Sequence, residues 1–389
     1  MDSHLPVTDQ EALIPVYQGC LYFLPLATVL DLLHTPTLQR NLYEQAHRPG
    51  WLTWKTFSKW FTGCQLTRDM RPTQKLKLEK MLQSRPALTQ LQQEIRHKDA
   101  LWRPYAEWLG LIGSPLFNSK PCVDYWKDKL ETEWHLACKL LPCAPSGAAK
   151  LAVLAASTLA EDLGTPSSRA RLEALLASKL DDHALTSHAD FVHTRLADSV
   201  ATLLRFAAWL TADAVVLNEA LMQQGSVEDS QPLIRWLPRL TSDPSEWSNP
   251  LGECIEHFVR LAGCSDTAAL GELWAQHEYQ QGKVRDITSK QRLLRDWING
   301  GKGRPSLTSV RSLAEAVAMR TAALQGIADS QGGREVDALR QMLHFAETIR
   351  FLQKEMLRLG LPAQLIGEVF STYPQEYRKA LMVLGHPLP

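Results

Sequence analysis

Apolar residues recur along this chain at three- and four-residue intervals, the spacing that lines one face of an α-helix. Between Leu151 and Leu163 they fall at Leu151, Leu154, Ala155, Leu159 and Leu163. From Val200 to Leu221 they fall at Leu203, Leu204, Ala207, Leu210, Val215 and Leu217. From Val336 to Leu359 they fall at Leu339, Leu343, Ala346, Ile349, Leu352, Met356 and Leu359. No clear strand-like alternation interrupts these runs, and Leu and Ala prevail over Val, Ile and Thr. Each run predicts one helix. Gly164-Thr165-Pro166-Ser167-Ser168 is expected to stop one helix and cap the next, and Gly360-Leu361-Pro362 to end the last long one. The fold class expected is all-α.

Stretches rich in Pro, Ser and Gly divide the pattern. Ser114 to Pro121, Leu141 to Gly147 and Leu237 to Pro250 read as connectors. They suggest an N-terminal helical region over 1–115, an Ala/Leu-rich helical middle over 116–250 and a C-terminal helical region over 251–389.

One pattern occurs twice. Residues 52–63 read Leu-Thr-Trp-Lys-Thr-Phe-Ser-Lys-Trp-Phe-Thr-Gly, and residues 288–300 read Thr-Ser-Lys-Gln-Arg-Leu-Leu-Arg-Asp-Trp-Ile-Asn-Gly. Aligning Trp60 with Trp297 places Gly63 on Gly300 and Phe57 on Leu294. Each copy leads to an Arg-Pro step, Arg71-Pro72 or Arg304-Pro305. An amphipathic helix then follows, carrying Leu76, Leu78, Met81 and Leu82 in one copy and Leu307, Val310, Leu313 and Val317 in the other. A Thr or Ser caps a short helix, and the apolar residue three before the Trp shares its buried face. The Gly supplies a left-handed stop, and Pro opens the next helix where its missing N–H costs nothing. Lys55, Thr56 and Lys59 in one copy, and Lys290, Arg292 and Arg295 in the other, are left on the polar face.

Over about 42–82 and 284–320 these two segments resemble the recognition helix and following helix of the Cro/repressor-type (Xre-like) helix-turn-helix family. The second copy is closer downstream, where Gly300-Gly301-Lys302-Gly303-Arg304-Pro305 resembles the family's basic loop. The first is closer upstream, where Leu42-Tyr43-Glu44-Gln45-Ala46 and Gly50 resemble the preceding helix and its turn. Both depart from the family. The first carries an insertion from Cys64 to Met70, and the second lacks a convincing preceding helix at Gln280-Gln281-Gly282. The resemblance implies a multidomain protein with two helix-turn-helix-like units around a helical bundle. It implies contact with duplex DNA in a regulatory role, through Thr53, Lys55, Thr56, Lys59, Ser289, Lys290, Gln291, Arg292 and Arg295 on the short helices and Lys302 and Arg304 in the loop.

Charge sharpens this expectation. The chain's 42 basic and 42 acidic residues cancel, so no overall field steers it to nucleic acid or membrane. Residues 53–80 nevertheless carry a net +5 and residues 283–311 a net +6, leaving −11 on the remainder. Positive charge thus gathers on the two motif-like segments, as phosphate contact requires. RNA is the alternative nucleic acid. The alternative function is a non-enzymatic adaptor or subunit of a bacterial nucleoprotein assembly, RNA-guided or defensive, with a protein partner.

Other chemistry finds less support. Cys122, His135, Cys138 and Cys143 lack the paired spacing of a zinc site, and Cys254 with Cys264 has no partner set, so buried thiols are expected and no metal or cofactor. Arg340 and His344 resemble the Arg–His pair of helical (HEPN-type) ribonucleases with too few intervening residues, and share one helix face. Gly300 to Gly303 lacks phosphate-loop spacing, and neither a nucleophile elbow nor a His-Glu-x-x-His pair occurs. An enzyme is not expected. Twelve tryptophans, with Trp102, Trp108, Trp126 and Trp134 crowded together, suit a core or a partner surface. Seven cysteines, an odd number, favour a reducing cytoplasm over a disulfide framework. The polar start and the short apolar run Cys20 to Pro25 do not read as a signal peptide, and no stretch is expected to approach the roughly 18 apolar residues of a membrane span.

Overall fold

Helices form where the apolar spacing places them, with differences that have local causes. The computed structural model describes residues 21–24, 29, 52–53, 56–57, 70–84, 102–113, 117–140, 147–179, 188–222, 233–239, 247–282, 288–299, 305–325 and 332–386. The described residues comprise thirteen α-helices, one 3-10 turn at Ile234–Trp236 and no strand. The chain is all-α. The helices are α1 Pro72–Ser84, α2 Trp102–Ile112, α3 Lys120–Leu140, α4 Gly147–Ala155, α5 Leu159–Asp162, α6 Ser168–Ala177 and α7 Ala189–Met222. They continue as α8 Pro250–Leu261, α9 Thr267–Gln280, α10 Thr288–Ile298, α11 Leu307–Gln325, α12 Gly332–Arg358 and α13 Ala363–Val383.

The chain divides into two compact units, residues 1–203 and 204–389. The division falls inside α7 and not in a Pro-rich connector. In the first unit the run from Leu151 to Leu163 is two helices, not one. All five of its apolar residues are buried, but the Ser157 hydroxyl accepts the Leu159 N–H at 3.1 Å, offering the backbone an alternative to the helical ladder. Gly164 follows α5 at a point where a Cβ would lie 2.5 Å from the Ala160 carbonyl oxygen and 2.8 Å from Ser168. The backbone passes too close there for any larger residue. Asp198 on α7 then secures the entry to α6, accepting the Thr165 N–H at 3.0 Å and the Ser168 hydroxyl at 2.8 Å.

Residues Ala189–Leu217 of α7 are long and apolar enough to cross a membrane by length and composition, contrary to the expectation that no stretch approaches a membrane span. Of its most apolar window, 61% is buried within the fold. Arg195, Asp198, Arg205 and Asp213 are buried along the same helix. Arg195 pairs with Asp198 at 3.0 Å, both side chains fully inaccessible.

In the second unit, α8 to α12 close around Trp274, Trp297, Phe258, Leu294, Leu313 and Leu343. Gly360 ends α12 at φ 77°, and the Leu361 N–H returns to the Met356 carbonyl at 3.0 Å, the left-handed stop expected there. It does not end the last long helix, because the 21-residue α13 follows. Glu376 on α13 accepts the Trp209 indole N–H at 2.9 Å and pairs with the Arg205 guanidinium. Tyr373 donates its hydroxyl to Thr211 at 2.9 Å.

Candidate nucleic-acid interface

The short helix of the second copy, α10, is built as the spacing predicts. Leu294 and Trp297, three residues apart, are both buried, and the Trp297 ring lies 5.4 Å from that of Trp274 on α9. The sequence offered no convincing helix before α10, but α9 is there and packs closely on it. A Cβ on Gly271 would come within 2.8 Å of the Gln291 Cα, so glycine permits the two backbones to approach. Seven residues, 281–287, separate α9 from α10, against three or four in a helix-turn-helix.

The contact between α9, α10 and α11 is polar at its centre. Glu278 on α9 accepts from Trp274 Nε1 at 3.0 Å and from the Ser312 hydroxyl of α11 at 2.8 Å. Its other oxygen meets Lys290 Nζ of α10 at 2.8 Å, with only 12% of the lysine side chain and 8% of the glutamate exposed. The same ammonium sits 4.2 Å from the centre of the Trp274 ring, a cation–π contact. Burial works to raise the Glu278 carboxyl. Hydrogen bonds from Lys290 and Ser312 and the lysine charge outweigh it and hold the group below the usual carboxylate range. Beside it, His277 lies 3.5 Å from Glu315, which also takes Arg311 at 2.9 Å.

The C-terminal end of α10 is held as well. Asn249 donates its side-chain amide to the Ile298 carbonyl at 2.7 Å, and Arg350 on α12 donates to the Trp297 carbonyl at 2.5 Å. These satisfy carbonyls that a helix end leaves without intrahelical partners, and Arg350 places a cation at the negative end of the dipole.

The anticipated contact residues therefore separate into two groups. Lys290 is turned inward to Glu278, and Gln291 donates to the Glu272 side chain of α9 at 3.0 Å. Ser289, Arg292 and Arg295 are exposed, with Asp296 and Asn299 beside them. Spacings of three and four residues put Ser289, Arg292, Arg295 or Asp296, and Asn299 on one face. The same arithmetic, run back from Leu294 by three and four, reaches Gln291 and Lys290. The inward pair was thus readable from the apolar register of α10. Glu278, four residues after Trp274, and Arg350, four after Ala346, are placed inward by the register of their own helices, but that register does not say which residue each meets. Including the inward partners, residues 278–315 carry eight basic and four acidic groups, a net of +4 where 283–311 gave +6.

Less of the first copy is described. The Thr53 carbonyl accepts the N–H groups of Thr56 and Phe57 at 3.0 and 2.9 Å, and the two threonine hydroxyls lie 3.1 Å apart. A helical turn therefore begins at Thr53, and Phe57 is fully buried, as is its counterpart Leu294. Thr53 is exposed and Thr56 half-buried. Lys55, Lys59, Trp60 and Gly63 lie outside the described residues, as do Gly300, Lys302 and Arg304. Pro72 opens α1, and the Gln74 side chain accepts the Arg71 N–H at 3.1 Å, half of a capping box. Leu78 and Met81 are buried, but Leu76 is 54% exposed and belongs to the solvent face.

The remaining candidates resolve simply. Cys122 and His135 stand thirteen residues apart on α3, about 20 Å along a helix axis, too far for one metal; Cys143 lies outside the described residues. Among the described residues, no group of three His, Cys, Asp or Glu is placed to hold a metal ion. Burial pushes the Cys254 thiol far above its ordinary range. Arg340 pairs with Asp337 at 3.2 Å. Trp108 and Trp126 are fully buried core residues, and Trp134 packs edge-on against Tyr105 at 5.3 Å. Comparison with protein-family models, with curated proteins and with solved structures finds no match to this chain.

Proposed function

We propose that this protein is a cytoplasmic, non-enzymatic regulator that binds nucleic acid, duplex DNA before RNA, through the exposed face of α10. The observation that carries this reading is the division of labour on one short helix. Lys290, Gln291, Leu294 and Trp297 fix α10 to its neighbours, while Arg292 and Arg295 face solvent. Bonds to Asn249 and Arg350 hold its far end. A rigid short helix presenting arginines can enter a major groove, and Arg is the commonest reader of guanine edges. Lys302 and Arg304, just beyond this helix in sequence, are assigned to phosphate contact, with Thr53, Lys55, Thr56 and Lys59 as the corresponding set of the first copy. The tryptophans that favoured a protein-contact role are core residues at Trp108 and Trp126, which removes one support for the adaptor alternative.

The test is a salt-titrated binding assay with random-sequence duplex and with single-stranded RNA. Duplex affinity should fall steeply with salt; Arg292→Ala and Arg295→Ala should each weaken binding to a selected duplex by about 1–3 kcal/mol, and the double substitution Lys302→Ala/Arg304→Ala should reduce the slope of log K against log salt by about 1.8, at about 0.9 per phosphate contact. A slope unchanged by the double substitution, or no binding to either nucleic acid, refutes the reading.

A further inference from the structure

We propose that the first unit contains a peptide-binding site whose ligand is its own segment Leu21–Leu24, held as a tethered guest and not as part of the helical framework. The four residues Leu21, Tyr22, Phe23 and Leu24 are all buried outside any helix. Their backbone groups are therefore satisfied from elsewhere, and side chains do it. The Glu133 carboxylate on α3 accepts three consecutive N–H groups, of Leu21 at 2.7 Å, Tyr22 at 3.1 Å and Phe23 at 3.3 Å. Tyr105 on α2 donates its hydroxyl to the same carboxylate at 3.2 Å. Arg195 on α7 donates to the Leu21 carbonyl, and Trp108 on α2 donates its indole N–H to the Leu24 carbonyl at 2.8 Å. Three helices thus grip one tetrapeptide at five backbone atoms.

Successive N–H groups that converge on one carboxylate form an anion-binding concavity of the backbone, and pockets for the adjacent side chains supply the selectivity. Here one pocket takes Phe23, edge-on to Trp108 at 5.0 Å and to Trp126 at 5.9 Å. Another takes Tyr22, whose ring centre lies 4.6 Å from the Arg195 guanidinium. Arg195 is itself fixed by Asp198 at 3.0 Å, so the groove is preorganised by contacts that do not involve the segment. The ligand class this selects is a bent apolar segment with two adjacent aromatic residues flanked by leucines. None of these contacts requires the segment to be joined to the rest of the chain.

A protease site inserted between Thr37 and Leu38 of the full chain allows that join to be cut after folding. On gel filtration, fragment 1–37 should remain with the rest of the chain, and an excess of a synthetic peptide of residues 18–28 should displace it. Phe23→Ala empties an aromatic pocket without altering the helices and should weaken retention about a hundredfold. Glu133→Gln should weaken it in the same direction. In every case the helical circular dichroism of the remainder should persist. Retention unaffected by Phe23→Ala, failure of the peptide to compete, or loss of helical signal as the fragment leaves would each overturn the proposal, the last by making the segment an inseparable part of the core.

Discussion

Lys290 is the residue on which sequence pattern and geometry assign different roles, and replacing it separates them. As a phosphate contact it would be dispensable for folding. In the structure its ammonium meets Glu278 at 2.8 Å with both side chains nearly inaccessible and lies 4.2 Å from the Trp274 ring centre. Lys290→Ala leaves a buried carboxylate without its counter-ion, and removing one partner of a buried pair costs about 3–5 kcal/mol. Glu278 keeps the Trp274 and Ser312 hydrogen bonds, which places the expected loss near the lower end, about 3 kcal/mol. For a unit of this size that lowers the melting temperature by roughly 6–12 °C. Calorimetry of the full chain should show this shift in one transition, while Arg292→Ala and Arg295→Ala stay within about 0.5 kcal/mol of the parent. Lys290→Met with Glu278→Gln removes both charges together and should recover most of the loss, giving a coupling energy of the order expected for contacting residues. A Lys290→Ala protein as stable as the parent would refute the placement of this side chain, and with it the division of α10 into a packed and a presenting face.

Burial pushes the Glu133 carboxyl up to about 7, against hydrogen bonds from Leu21, Tyr22, Phe23 and Tyr105 that pull it down. The folded state thus favours the protonated form. Its stabilising contribution is full below about pH 4.5 and is lost as pH rises through 7, by about 3 kcal/mol at roughly 1.4 kcal/mol per unit; urea titrations at pH 5 and pH 8 should show it, and Glu133→Gln should flatten it. Glu278 and Glu315 are held below the usual range by their partners. Their contribution has the opposite sign, present above the ordinary carboxylate pKa and lost as pH falls through the lowered values, so acid should weaken the second unit's transition. Gly271→Ala places a Cβ 2.8 Å from the Gln291 Cα, where backbone must yield, and should cost about 1–3 kcal/mol in denaturant titration. Arg350→Ala removes the donor to the Trp297 carbonyl and should cost about 1–3 kcal/mol while raising hydrogen exchange at the end of α10.

What could be read in advance follows from how far each determinant reaches along the chain. Helical periodicity is local, so α12 and the buried pair Leu294 and Trp297 were legible from spacing alone. At the break between α4 and α5 the Ser157 hydroxyl takes the Leu159 N–H and three-residue turns replace the helical ladder, a local change that five apolar residues in good register do not reveal. The orientation of Lys290 is encoded, four residues before Leu294 and seven before Trp297, but its charge points to solvent while its register points inward. Register wins because Glu278 stands where the lysine arrives. A buried ammonium is tolerated only with such a partner, and residue 278 lies across a seven-residue connection that no helical spacing bridges. The Glu133 clasp is further out of reach, since its backbone donors stand 110 to 112 positions away. Glu131 and Glu133 occupy the same helix two residues apart, one exposed and one fully buried. Register separates them, since Glu133 stands three after Leu130 and three before Leu136 on the buried face of the helix, but no spacing along the helix names Leu21, Tyr22 and Phe23 as its partners. The two sites therefore differ in degree: the presenting face of α10 follows from local pattern once its buried register is extended, whereas register buries Glu133 and leaves the choice of its partners to the tertiary arrangement.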